Sequence, residues 1–260
     1  MRTLSRLIEI MKQLRDPEAG CPWDREQTIP SILPYTLEEV YELADAIERN
    51  DYPAIRDELG DLLFHLVIYA RMAEEAGRFD FDAVAGGIVA KLERRHPHVF
   101  ADAHVDSAAA QSVAWEKLKA EERRAGGTGA RFLDGISAAM PAMLRALKLQ
   151  KRAATVGFDW TEPGPVLDKV GEELEEIRSA MVAGAPAPVI AGEVGDLLFA
   201  VINCARHLGV DPELALRSTN TKFERRFDAI EAELKARGRS LEQASLEEME
   251  VLWQAAKNSG

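Results

Sequence analysis

Cysteine is almost absent. Cys21 and Cys204 are the only two in 260 residues, too few for a disulfide framework, and this points to a reducing compartment, the cytoplasm. No run of 18 apolar residues occurs, so no membrane-spanning helix is predicted. The opening MRTLSRLIEIMKQLRD reads as an amphipathic helix rather than a secretory leader. Basic residues are in deficit: 32 Lys and Arg against 44 Asp and Glu leave a net charge of −12. That balance weighs against a nucleic-acid partner, whose affinity comes from neutralised phosphates, but not against a small phosphorylated ligand held through a metal ion. With 47% hydrophobic and 29% charged residues, the remainder is an ordinary globular composition.

Strand alternation is also lacking, and helical periodicity fills the space. Apolar residues recur at three- and four-residue spacing over 36–49, 54–76, 80–95, 109–124, 138–153, 165–182, 189–207, 211–235 and 246–257. Asp51, Pro53, Gly77, Pro97, Gly157, Pro163, Pro186 and Pro188 punctuate them, so the predicted fold class is all-α. Three glycines within residues 125–130 cannot hold a helix cheaply, which marks a linker near the midpoint. Either side of it the chain repeats. LEEVYEL (37–43) returns as GEELEEI (171–177), DELGDLLFHLVIYAR (57–71) as GEVGDLLFAVINCAR (192–206), and KLERRH (91–96) as KFERRF (222–227). WEKLK (115–119) is echoed by WQAAK (253–257), and CPWD (21–24) by GFDW (157–160). Five blocks in one order at nearly constant offset predict a duplicated domain: 1–124, a linker at 125–131, and 132–260.

Each copy carries one chemically pointed cluster. Glu39 and Glu42 share a helix face at i, i+3, and Glu58 and Asp61 repeat the spacing on the next helix. The second copy has Glu173 with Glu176, and Glu193 with Asp196. On two antiparallel helices each set gathers four carboxylates, which cannot all stay ionised without a cation. Oxygen-only ligands favour Mg²⁺, with Mn²⁺ as the alternative, over zinc. A di-iron site would want Glu-x-x-His pairs; His65 lies near Asp61, but its counterpart is Ala200. The competing reading is a solvated helix face. Glu58 and Asp61 stand among Leu59, Leu62, Leu63 and Phe64, and Glu193 and Asp196 beside Val194, Leu197, Leu198 and Phe199. Burial of both pairs is therefore expected.

With these ExxE…ExxD pairs, GDLLF, GCPWD and the KLERRHPHVF stretch, the chain resembles the MazG nucleoside triphosphate pyrophosphohydrolases over essentially its full length. The resemblance implies two tandem MazG-type domains of the all-α NTP pyrophosphatase fold, each with a four-helix-bundle core, and a homodimer. It also implies Mg²⁺-dependent conversion of NTP or dNTP to the monophosphate and pyrophosphate, broad nucleotide tolerance and a role in nucleotide-pool control or stress.

A triphosphate needs cations. Lys222, Arg225 and Arg226 lie on one helix face, as do Lys91, Arg94 and Arg95; salt bridging on an exposed helix is the alternative. Trp253 with Lys257, and Trp115 with Lys119, place an indole and an ammonium one turn apart, where the indole either stacks on a base or packs as core. The family's nucleotide-binding elements map onto Lys169, the 189–192 segment, Lys222 to Arg226 and Trp253. The copies are unequal. Lys169 shares the face of Glu173, where the first copy has Tyr35, and Gly192 precedes Glu193, where the first copy has Asp57. The second copy is thus expected to be the better triphosphate site, with Glu173, Glu176, Glu193 and Asp196 as its catalytic ligands. Glu172 and Glu38 are candidate general bases or plain helix-face charges. The expected mechanism is displacement at the α-phosphorus assisted by two divalent ions.

Other phosphohydrolase signatures are missing from the sequence: no GxxxxGK[ST] loop, no His-Asp dipeptide, no Nudix box and no G-x-S-x-G elbow. His96-Pro97-His98 follows a helix end and is expected to cap or pack. A non-catalytic helical dimer that senses nucleotide or binds a protein is the rival function.

Overall fold

The computed structural model describes residues 2–102, 104–107, 110, 111, 114, 115, 118 and 131–258. Helices are the regular elements among them, and the chain divides into two units, 1–127 and 128–260. The predicted helix 109–124 falls mostly outside the described residues, as does 125–130 of the predicted linker, although Ala114, Trp115 and Leu118 are helical.

The N-terminal unit contains α1 (Arg2–Leu14), α2 (Pro22–Glu26), α3 (Ile29–Glu48), α4 (Tyr52–Glu75), α5 (Phe81–Arg95) and α6 (Pro97–Phe100). α3 begins seven residues before the predicted 36. Thr28 and Ser31 form a reciprocal capping box, with Thr28 Oγ1 accepting from Ser31 N–H and Ser31 Oγ accepting from Thr28 N–H at 2.9 Å. The early start carries Pro34 inside the helix. Its missing N–H leaves the carbonyl of the exposed Pro30 without its usual helix bond. α3 and α4 form a tight hairpin: Asn50 takes φ 55° to end one helix, and the Asp51 side chain accepts from Ala54 N–H to begin the next. α1 packs on α4, and Met11, Ile32, Val67, Ile68 and Met72 close a buried core between α1, α3 and α4.

The C-terminal unit runs α7 (Ala142–Ala154), α8 (Pro163–Val182), α9 (Ala187–His207), α10 (Pro212–Ala236), a 3₁₀ turn (Leu241–Gln243) and α11 (Leu246–Asn258). α8 and α9 repeat the hairpin, with Gly184 at φ 64° in the place of Asn50. α7 lies against α9 through Ala146, Leu147 and Ile202, and α10 pairs with α11 through Ile230, Leu234 and Leu252. α7 starts at Ala142 rather than 138 because Pro141 occupies its N-cap position.

By length and composition α9 is apolar enough to cross a membrane, with a mean hydropathy of 1.5, although only 17% of that window is buried. Its exposed apolar face has a twin. Val194, Leu198 and Val201 are 41%, 58% and 45% exposed, and their repeat partners on α4, Leu59, Leu63 and Leu66, are 52%, 36% and 55% exposed.

Left-handed backbone penalises a Cβ by roughly 1–2 kcal/mol. Gly184→Ala is therefore expected to lower unfolding stability by about that amount in denaturant titration, although a Cβ there meets open space.

Candidate active site

The tight turn at Gly184 brings the α8 carboxylates against those of α9. Ligand oxygens of Glu173, Glu193 and Asp196 all lie within 4.8 Å of one another. Glu173 is buried, only 5% exposed, while Glu193 is half-buried and Asp196 exposed. Lys169, one turn before Glu173, places its Nζ 2.7 Å from Glu173 Oε1 and 2.8 Å from Glu172 Oε1, and these two carboxylates raise its pKa and hold it as the ammonium. The other oxygen, Glu173 Oε2, is buried with no hydrogen-bond partner. A carboxylate oxygen in that condition is costly unless a ligand is supplied. The Glu173 charge, first, and burial also push the Glu176 carboxyl upward.

The N-terminal hairpin repeats the cluster with Glu39, Glu58 and Asp61, again within 4.8 Å. Here no lysine intervenes. Burial, a hydrogen bond to Glu58 and the charges of Asp61, Glu42 and Glu58 push Glu39 up to about 7. Tyr35, in the place of Lys169, meets Trp23 edge-on at 6.0 Å. Asp57, in the place of Gly192, is paired with Arg56 at 2.8 Å.

Three carboxylates of each cluster lie within that mutual 4.8 Å, and Glu42 and Glu176 stand outside it. Glu42 and Glu176 lie about 4.5 Å farther along their helix axes than Glu39 and Glu173, yet the Glu42 charge acts on Glu39, and the Glu173 and Glu193 charges on Glu176. One expectation needs correction: the flanking apolar runs do not bury their acids, since Asp61 and Asp196 are exposed and Glu58 and Glu193 half-buried. A run apolar on several sides carries no record of which side is covered, and here Leu59, Leu63, Val194 and Leu198 face outward. The metal assignment nonetheless fits the residues present: an oxygen-only set, crowded like charges and an orphaned buried oxygen are what a hard divalent cation relieves.

Beside the C-terminal cluster lies a cavity of about 430 Å³ that Lys169, Glu173 and Asp196 line together with Gln150, Phe158, Trp160 and Asn203. Gln150 and Asn203 are buried, and sequence reasoning missed both as site residues. Asn203 had a signal, since an amide replaces Ile68 inside an otherwise apolar repeat block; Gln150 had none, because no repeat block reaches it. Arg206 pairs with Asp159 and holds that carboxyl below its ordinary range, closing the GFDW block onto α9.

The basic and aromatic candidates on α10 and α11 do not line that cavity. Lys222, Arg225 and Lys257 are exposed on α10 and α11. Arg226 stacks its guanidinium 5.4 Å over Trp253, whose ring also meets Phe223 at 5.3 Å beside Leu252. In the first copy Lys91 and Arg94 are exposed, and the Trp115 indole N–H donates to the Arg95 carbonyl at 3.1 Å and stands edge-on to His96. Neither indole lines the cavity beside Glu173. Lys119 lies outside the described residues. His96 caps α5, its ring nitrogen on the Leu92 carbonyl at 2.8 Å, as its position after a helix end predicts. Gly192 is exposed, and a Cβ there would meet nothing within 4 Å, so its lack of a side chain answers no crowding within this chain.

The sequence matches two known domain families, one in each unit. Residues 27–100 match the MazG nucleotide pyrophosphohydrolase domain, and residues 141–223 the phosphoribosyl-ATP pyrophosphohydrolase family. The nucleoside triphosphate pyrophosphohydrolase of Escherichia coli K12 is 52% identical over 261 residues, covering 99% of this chain and 98% of that protein. The nucleoside triphosphate pyrophosphohydrolase/pyrophosphatase MazG of Thermotoga maritima is 40% identical over 251 residues, covering 96% of this chain and 94% of the relative. With the duplicated helical hairpin and its carboxylate clusters, this similarity over the full length establishes that the chain belongs to the MazG family of nucleoside triphosphate pyrophosphohydrolases.

Proposed function

We propose that the C-terminal unit is an Mg²⁺-dependent hydrolase that cleaves nucleoside triphosphates between the α- and β-phosphates, releasing the monophosphate and pyrophosphate. The observation that carries this reading is the orphaned Glu173 Oε2 in a three-carboxylate cluster, with the Lys169 ammonium beside it and a cavity at its edge. Mg²⁺ bound there supplies charge neutralisation for phosphoryl oxygens and lowers the pKa of a bound water. Glu173, Glu176, Glu193 and Asp196 would hold the ion. The Lys169 ammonium, held in place by two carboxylates, is presented to the triphosphate. When it swings to a phosphate it releases Glu172, whose freed carboxylate accepts the proton of the attacking water. Lys222, Arg225 and Arg226 supply further cations to the leaving pyrophosphate, and Gly192, Trp253 and Lys257 complete the nucleotide-binding set.

The N-terminal unit keeps a cluster of the same oxygen ligands and binds the same metal. In the place of Lys169 and Gly192 it has Tyr35 and Asp57, which makes it the weaker triphosphate site, with Lys91, Arg94, Arg95, Trp115 and Lys119 as its contacts. The twin exposed stripes at Leu59, Leu63 and Leu66 and at Val194, Leu198 and Val201 support a homodimer that covers them. The same stripes account for the hydropathy of α9 without a membrane. Broad nucleotide tolerance, control of nucleotide pools and a cytoplasmic site of action complete the reading.

Glu193→Ala is expected to lower pyrophosphate release from ATP by on the order of 100-fold or more, while Glu58→Ala keeps most of it. Loss in Glu58→Ala alone reverses the ranking of the units, and release of orthophosphate with the diphosphate overturns the assigned bond.

Proton and metal compete at Glu39. Its raised pKa means that the metal-free folded state gives up stability as pH climbs from about 4.5 through 7, where an isolated carboxyl would already be ionised. Mg²⁺ is therefore expected to raise the melting temperature more at pH 8 than at pH 5.5. Calorimetry checks this, and Glu39→Gln is expected to shrink the difference.

A further inference from the structure

Three of the chain's five histidines, His96, His98 and His104, follow closely on α5, and the proposed hydrolysis uses none of them. The two units differ here. At the repeat positions matching His96 and His98 the C-terminal unit has Phe227 and Ala229, and α10 runs on through both to Ala236. Phe227 stacks on Phe223 there, with ring centres 5.9 Å apart. In the N-terminal unit α5 stops at Arg95 and α6 starts at Pro97, whose ring nitrogen has no proton to extend a helix. The chain turns with an imidazole on each side of that proline.

The polar atoms of the turn are set for a ligand. His96 Nδ1 lies 2.8 Å from the Leu92 carbonyl. A carbonyl only accepts, so Nδ1 carries the proton and Nε2 keeps its lone pair. A histidine that donates one ring N–H to a carbonyl and offers its other nitrogen is in the usual form of a metal ligand. The His98 ring centre is 5.7 Å from that of His96, and its Nδ1 is buried with no hydrogen-bond partner among the described residues. Gln111 closes on the same turn: its Nε2 donates to the Arg95 carbonyl at 3.4 Å, beside the Trp115 indole N–H at 3.1 Å. With Nε2 so directed, Gln111 Oε1 is also buried and unpartnered among the described residues. Two buried orphan atoms in one turn are costly unless something supplies their bonds.

We infer that this turn is a metal site of a second kind, in which His96 Nε2, His98 Nδ1 and Gln111 Oε1 hold a zinc-type divalent cation and water completes the shell. Imidazole nitrogen selects zinc and its first-row neighbours over Mg²⁺, whereas the carboxylate clusters offer oxygen alone. Two imidazoles on one tetrahedral ion hold their ring centres about 5 Å apart, so a small ring rotation closes the observed 5.7 Å. Asp102 and Asp106 follow in the exposed loop, where His104 Nε2 lies 3.0 Å from Asp106 Oδ1. Their negative charge offsets that of Lys91, Arg94 and Arg95 on α5. The ion ties the end of α5 to Gln111 and leaves the carboxylate clusters to Mg²⁺.

The test uses the full chain without a histidine tag, in excess Mg²⁺, loaded with less than one zinc per chain. Zinc K-edge X-ray absorption of wild-type protein is expected to show the outer-shell scattering of two imidazoles. Calorimetric zinc affinity is expected to fall by about 10-fold or more in His96→Gln and in His98→Gln. Gln111→Leu is expected to lose less, and Glu39→Gln to keep the affinity; circular dichroism reports whether each variant folds. An all-oxygen shell in wild-type protein overturns the assignment without recourse to any variant. So does an affinity unchanged in both histidine variants, the result if zinc enters a carboxylate cluster. Absence of zinc binding in excess Mg²⁺ overturns it too, since water alone then meets the orphan atoms.

Discussion

Repulsion between carboxylates organises this protein. A three-residue turn folds α3 back on α4, a four-residue turn folds α8 on α9, and each hairpin forces three acids within 4.8 Å. Nothing in an apolar bundle favours such crowding, and the cost is visible in Glu39, pushed up to about 7, and in the buried, unpartnered oxygen of Glu173. A fold that keeps this arrangement in both copies stores a demand for positive charge. Lys169 meets part of it in the C-terminal unit. The acidity of the chain and its phosphate chemistry are therefore one property, since the surplus carboxylates become a phosphate-binding surface once a cation is bound.

Duplication then allowed the halves to diverge around a constant centre. The hairpin turn, the three acids and the outward stripe of α4 and α9 recur at matching positions. What changed lies one layer away: Tyr35 against Lys169, Ile68 against Asn203, His65 against Ala200. Each exchange replaces bulk or hydrophobicity with a charge, an amide or space, all in the same unit. One copy has a closed core beside its acids and the other has a cavity.

Helix content, the duplication and the identity of the acids were legible because each depends on local spacing. Boundaries drifted where a proline or a cap decided them, as at Thr28 and Pro141. Burial was misjudged at Asp61 and Asp196 because leucines on several sides of a helix do not say which side is covered. The stacking of Arg226 on Trp253 is likewise a contact that residue types permit without specifying.

By itself the sequence determined that the chain is helical, is written twice, and carries paired carboxylates with oxygen ligands only, because periodicity, repetition and side-chain chemistry are all readable along one dimension. Tertiary structure alone decided that Glu173 keeps one oxygen buried without a partner and that Gln150 joins Asn203 at one cavity. Gln150 and Asn203 are 53 residues apart on different helices. Their meeting depends on how α7 packs against α9, and that packing is a sum of many weak contacts that no single spacing encodes.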